Sequence, residues 1–109
     1  MMNNIKNVLV KELKNSIRQE STYRKALEEL PGGALVKKEI SGHTYYYLMS
    51  RNNKKVRFLY KGKISQEEIK RYDNLKQMRM SYRKSLTHVR KRISFLMKIL
   101  NTKEMKAIS

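Results

Sequence analysis

The chain has 109 residues, with 26 Lys and Arg against 9 Asp and Glu, a formal charge of +17, and no cysteine. That length suits one domain with a modest core, and the missing cysteine excludes a disulfide framework, a thiolate metal site and a thiol nucleophile. The charge far exceeds the magnitude of about 2 to 8 that keeps a small domain soluble, and like charges oppose compaction, so the excess points to a polyanionic partner, nucleic acid first.

Charge and periodicity divide the chain into three segments. Residues 1–30 carry a net +2, residues 31–64 a net +7 and residues 65–109 a net +8. In the first, Ile5, Leu9, Leu13 and Ile17 recur every four positions, and Tyr23, Leu27 and Leu30 continue the stripe. This predicts a helix over 4–30. "LPGG", with Pro31, Gly32 and Gly33, stops it.

Residues 34–63 alternate like a hairpin meander: "ALVKKEI", "HTYYYLMSR" and "KKVRFLYKGK", separated by "SG" and "NN". Both separators suit two-residue turns. The first turn sets Ile40 opposite His43, Lys38 opposite Tyr45 and Val36 opposite Tyr47. A second turn at Asn52–Asn53 sets Met49 opposite Val56, Tyr47 opposite Phe58 and Tyr45 opposite Tyr60. One face then gathers Ala34, Val36, Ile40, Tyr45, Tyr47, Met49, Val56, Phe58 and Tyr60, with Tyr45 and Tyr47 expected in the core. The other gathers Leu35, Lys37, Glu39, Thr44, Tyr46, Leu48, Lys55, Arg57, Leu59 and Lys61, with Tyr46 flanked by Lys37, Arg57 and Lys55.

In the third segment Ser65 and Glu68 read as a capping box, and no Gly or Pro follows before Asn101, so a single helix is predicted over 66–101. Tyr72, Leu75, Arg79, Tyr82, Leu86, Val89, Ile93, Leu96 and Leu100 follow heptad spacing with one polar member. The stretch from Tyr82 through Leu86, Val89, Ile93 and Leu96 to Leu100 is a seam for an internal partner or for a second copy in a homodimer. Residues 102–109 read as a short flexible tail.

Candidate binding residues fall in two groups. From Lys76 to Lys98 the last helix has eight basic residues and no acidic one. Arg83, Lys84, Arg90, Lys91, Arg92 and Lys98 are its candidates for neutralising phosphates. On the sheet, Lys37, Tyr46, Lys55, Arg57 and Lys61 combine cations with an aromatic ring, a pairing that can hold phosphates and stack bases. Leu35, Leu48 and Leu59 share that face, so a helix covering it stays the competing reading. His43 and His88 are isolated, with no ligand-spaced carboxylate beside them, and no nucleophile–base pair can be assembled. No enzymatic activity, metal or cofactor is expected.

Two resemblances are carried by these residues. The strand–strand–strand–helix pattern "ALVKKEISGHTYYYLMSRNNKKVRFLYKGKISQEEIKRY" resembles the arm-site DNA-binding domain of tyrosine-type integrases, over about residues 34–75. It implies a sheet that enters the major groove, with Lys37, Tyr46, Lys55 and Arg57 as DNA contacts. The long first helix and the missing catalytic domain depart from that family. "LPGGALVKKEISGHTYYYL" with "YKGK" is similar to small uncharacterised basic bacterial proteins associated with mobile-element and toxin–antitoxin loci. That implies an accessory or antagonist role and assigns no site.

The expectation is a single α+β domain: helix, three-stranded antiparallel meander and long basic helix. The leading function is non-enzymatic binding of nucleic acid, DNA or RNA, in a mobile-element or defence-related setting. The alternative is an antagonist, such as an antitoxin or inhibitor, that binds an acidic protein or a nucleoprotein enzyme. A membrane partner is not expected, because the helix's cations read as spread around it and no Trp/Phe-rich face is present to insert. The first residues lack an apolar leader pattern, so the expected location is cytoplasmic.

Overall fold

The computed structural model describes residues 4–108. The chain is α+β, in the order α1 (Ile5–Glu29), β1 (Ala34–Ile40), β2 (His43–Asn52), β3 (Lys55–Gly62), α2 (Gln66–Leu100) and a short α3 (Lys103–Lys106). Contacts gather into two compact units. One holds α1, α2 from Ser81 onward and α3; the other is Leu30–Met80. The division falls within α2, between Met80 and Ser81.

In the helical unit α1 and α2 run antiparallel. Arg92 Nη1 donates to Gln19 Oε1 at 3.0 Å, Arg90 Nη2 lies 3.7 Å from Glu20 Oε1, and Leu13 shares a groove with Ile93, Met97 and Leu100. Leu86, Val89 and Leu96 are buried on α2, and Ser16 is buried on α1. The seam, read as serving an internal partner or a second copy, is covered within one chain at these three positions.

The α1 stripe differs from expectation in phase. Ile17 is 52% exposed and Ile5 is also exposed, whereas Leu9, Leu13, Ser16, Glu20, Tyr23 and Leu27 are turned inward to differing degrees. Those positions alternate steps of four and three, the spacing needed to stay in register with a heptad on the facing helix. The constant four-residue step of the predicted stripe drifts away from that line. Small Ser16 fills the most enclosed position, and its hydroxyl has no hydrogen-bond partner.

Within the stretch read as a tail, Lys103–Lys106 form the short helix α3. Thr102 Oγ1 caps α3 by accepting from the Met105 amide at 3.3 Å. Lys6 Nζ donates to the carbonyl of Ile108 at 3.0 Å, joining this segment to α1.

The sheet unit has strand order β1-β2-β3. Ser41 and Gly42, at φ 51° and 81°, make the first turn as predicted, and Ile40–His43, Lys38–Tyr45 and Val36–Tyr47 pair across it. The second turn falls one residue later than predicted. Its central residues are Asn53 and Lys54, at φ 48° and 69°, so both sit in the left-handed region that this hairpin turn requires. Met49 therefore pairs with Phe58, and Tyr47 with Tyr60. The slip is by two positions, and because side chains alternate with period two, membership of the two faces survives. Between Tyr46–Gly62 and Tyr47–Tyr60 the register shifts, leaving Lys61 as the extra residue of a bulge.

Lysine in the left-handed region costs about 1 kcal/mol relative to a residue free of a Cβ. Lys54→Gly is expected to recover part of that, about 0.5 kcal/mol after the added freedom of the unfolded chain is counted. A rise of a few degrees in the thermal midpoint, followed through the sheet tyrosines, is the expected reading; a fall would show that the Lys54 side chain makes a stabilising interaction.

The Ser65 half of the expected capping box is present at the start of α2. Ser65 Oγ accepts from the Glu68 amide at 3.1 Å, and the Glu68 carboxylate lies 3.7 Å from Lys61 Nζ. Arg79, the polar member of the predicted seam, donates from Nη2 to the Pro31 carbonyl at 2.8 Å. It thereby satisfies backbone at the Pro-Gly-Gly break and ties α2 to the entry of β1. Among the described residues, no helix is long and apolar enough to cross a membrane.

Candidate nucleic-acid interface

In the helical unit the predicted cations separate into two sets. Arg90 and Arg92 reach α1, through Glu20 and Gln19 respectively, so they contribute to helix pairing. Glu20 also receives Arg24 at 3.3 Å, which places two guanidinium groups on one half-buried carboxylate.

Arg83, Lys84, Lys91 and Lys98 are exposed, and their side chains make no hydrogen bond or ion pair among the described residues. At about 100° per residue they fall within an arc of about 100°, on the side of α2 opposite Leu86, Val89 and Leu96. The arc belongs to this unpaired set alone: with Arg90 and Arg92 included, the cations span about 200° of the helix, so as a whole they are spread broadly around it, as expected. Lys84, Lys91 and Lys98 are heptad-spaced, so they form a row with a separation of about 10 Å between neighbours. The reason for the segregation is the seam itself: a helix packed along one line leaves the far side as its solvated face. No carboxylate occurs between Asp73 and Glu104 to offset the row.

The sheet candidates do not converge. Tyr46 pairs with Lys37 on one side and Gly62 on the other, while Lys55 and Arg57 lie opposite Asn52 and Ser50 near the β2–β3 turn. Ser50 lies four positions beyond Tyr46 on β2, about 13 Å along the strand. The predicted flanking of Tyr46 by Arg57 and Lys55 therefore fails with the two-residue slip. Lys37 Nζ is 3.8 Å from Glu39 Oε1, and Lys61 is held by Glu68. Both are partly neutralised. The four positions implied by the integrase resemblance split likewise into Lys37–Tyr46 and Lys55–Arg57.

This second face is also partly closed. Leu35, Tyr46 and Leu48 are half-buried. A Cβ built on Gly33 would lie 2.9 Å from Leu48 Cδ1, so the glycine lets the loop before β1 lie against Leu48. Gly33 has φ 104°, which independently favours glycine. Leu59, farther along the face, is exposed.

The first face, expected to be core, is the more open of the two in its aromatic content. Tyr45 and Tyr47 are half-buried, while Tyr60 and Phe58 on the outer strand are 56% and 61% exposed. Sequence reasoning missed this face because alternation identifies which residues share a side, not what covers it. A usable signal was available: the one long helix offers a narrow apolar seam, too little to cap a broad aromatic sheet as well as α1. Among the described residues, no group of three or more His, Asp or Glu side chains is gathered to hold a metal ion.

The chain matches no protein-family model, no curated protein and no solved structure.

Proposed function

We propose that the protein binds nucleic acid without acting on it chemically, through phosphate contacts made by the outer face of α2. The observation that carries this reading is the exposed, unpaired set Arg83, Lys84, Lys91 and Lys98 on one side of a helix. Cations so placed displace condensed counterions from a phosphate backbone, which gives affinity without reading sequence. They are also free of the local carboxylates that would compete for them, unlike Lys37 and Lys61. An accessory role at a mobile-element or defence-related locus agrees with the resemblance of the "LPGG" and "YKGK" segments.

The test is binding to matched DNA and RNA oligonucleotides over a salt series. Affinity is expected to fall steeply as salt rises, with log K linear in log salt. No binding at about 0.15 M salt would overturn the proposal.

One observation favours the antagonist reading. Phe95 is 64% exposed and stands one helical turn from both Lys91 and Lys98. An exposed ring bordered by cations suits an acidic protein groove. Phe95→Ala separates the two: it leaves phosphate-driven binding unchanged, and weakens capture of an acidic protein partner.

A further inference from the structure

The first face of the sheet carries a continuous row of rings. His43, Tyr45, Tyr60 and Tyr47 follow one another with centroid separations of 6.4, 6.3 and 5.3 Å, their planes mutually tilted. Phe58, opposite Met49, extends the row along β3. Ile40, Tyr45, Tyr47 and Tyr60 line a shallow depression of about 410 Å³. The register places Lys38 and Arg51 on the same side, and no carboxylate shares it. An apolar face of this kind left open in a soluble chain marks an interaction site.

Its chemistry narrows the occupant. Pairing with a second copy by two-fold symmetry would set this face on itself. Two chains of +17 would then meet with Lys38 and Arg51 on both sides and no carboxylate between them. A polyanion with flat apolar groups meets every feature instead: rings for its bases, and cations at the margins for its phosphates. Duplex bases are already stacked on their neighbours, so only unpaired bases have faces to offer.

We infer that the Tyr45–Tyr47–Phe58–Tyr60 face is a stacking platform for single-stranded nucleic acid. This rests on the nucleic-acid reading above and adds to it the strand class and a second surface. Stacking on rings tolerates any base, so binding is expected to be largely independent of sequence.

The experiment uses the full chain and fluorescein-labelled single-stranded DNA and RNA oligonucleotides of about 15 nucleotides, with a duplex of the same sequence. Tyr60→Ala, Phe58→Ala and Tyr60→Phe are compared with wild type, their folding checked by circular dichroism. Both altered side chains are exposed, so the alanine variants keep the fold. Each alanine variant is expected to lose about 5- to 150-fold in single-strand affinity. Tyr60→Phe retains wild-type affinity, and duplex binding does not change. Single-strand binding that survives both alanine changes overturns the platform, while a steep salt dependence in the same wild-type series would leave the phosphate reading standing. Wild type that binds no oligonucleotide ends both. Self-association in sedimentation that Tyr60→Ala abolishes gives the face to a second copy and overturns the inference.

Discussion

Leu86→Ala is expected to destabilise the helical unit by about 2–5 kcal/mol, the usual cost of removing a buried leucine side chain. Among the described residues, Leu86, Val89 and Leu96 are the only buried hydrophobic side chains. A domain's whole stability is about 5–15 kcal/mol, so one truncation in so thin a core removes a large share of it. The helical signal at 222 nm in a urea titration is the measurement, with the midpoint moving to much lower urea. Ser16→Ala, on the facing helix, is expected to move the midpoint the other way. Its buried hydroxyl lacks a partner, an arrangement that costs about 1–3 kcal/mol, and alanine is the better helix former. Ser16→Leu would reverse that gain by overpacking the most enclosed position on α1. If Leu86→Ala unfolds at the wild-type midpoint, the α1–α2 seam is not what stabilises this unit.

The same seam shows what was legible in the sequence. Pro31, Gly32 and Gly33 mark the end of α1, Ser41–Gly42 marks the first turn, and the heptad from Tyr82 to Leu100 marks the inward line of α2. Each is a local signal with a direct steric cause. The second turn was less legible because Asn52, Asn53 and Lys54 are all polar residue types. Propensity favours asparagine at positive φ over lysine, yet the hairpin uses Asn53 and Lys54. Face membership survived that error because the slip was even; a slip by one would have exchanged the two faces. The phase of α1 depended on a partner distant in sequence, which is why Ile17 stood in for Ser16. The candidate sites were legible as residue types but not as groups. Arg90 and Arg92 were indistinguishable from Lys91 in the sequence, and Glu20 and Gln19 on the other helix set them apart.

That separation makes the outer row of α2 testable on its own. Replacing Lys84, Lys91 and Lys98 together by glutamine removes three exposed cations that hold no partner in the fold, so stability should change by no more than about 0.5 kcal/mol. If each lysine neutralises one phosphate of a duplex, the slope of log K against log salt becomes shallower by about 2.7. At about 0.15 M salt the same counterion term corresponds to a loss of about 100-fold in affinity. Arg90→Gln gives the opposite pattern: the guanidinium 3.7 Å from Glu20 is lost, stability falls by up to about 1 kcal/mol, and the salt slope moves little. The two variants thus separate a phosphate contact from a helix-pairing contact on neighbouring residues of one helix. A triple variant with an unchanged slope would remove α2 as the phosphate surface, and leave the ring-bearing face of the sheet to account for any binding that remains.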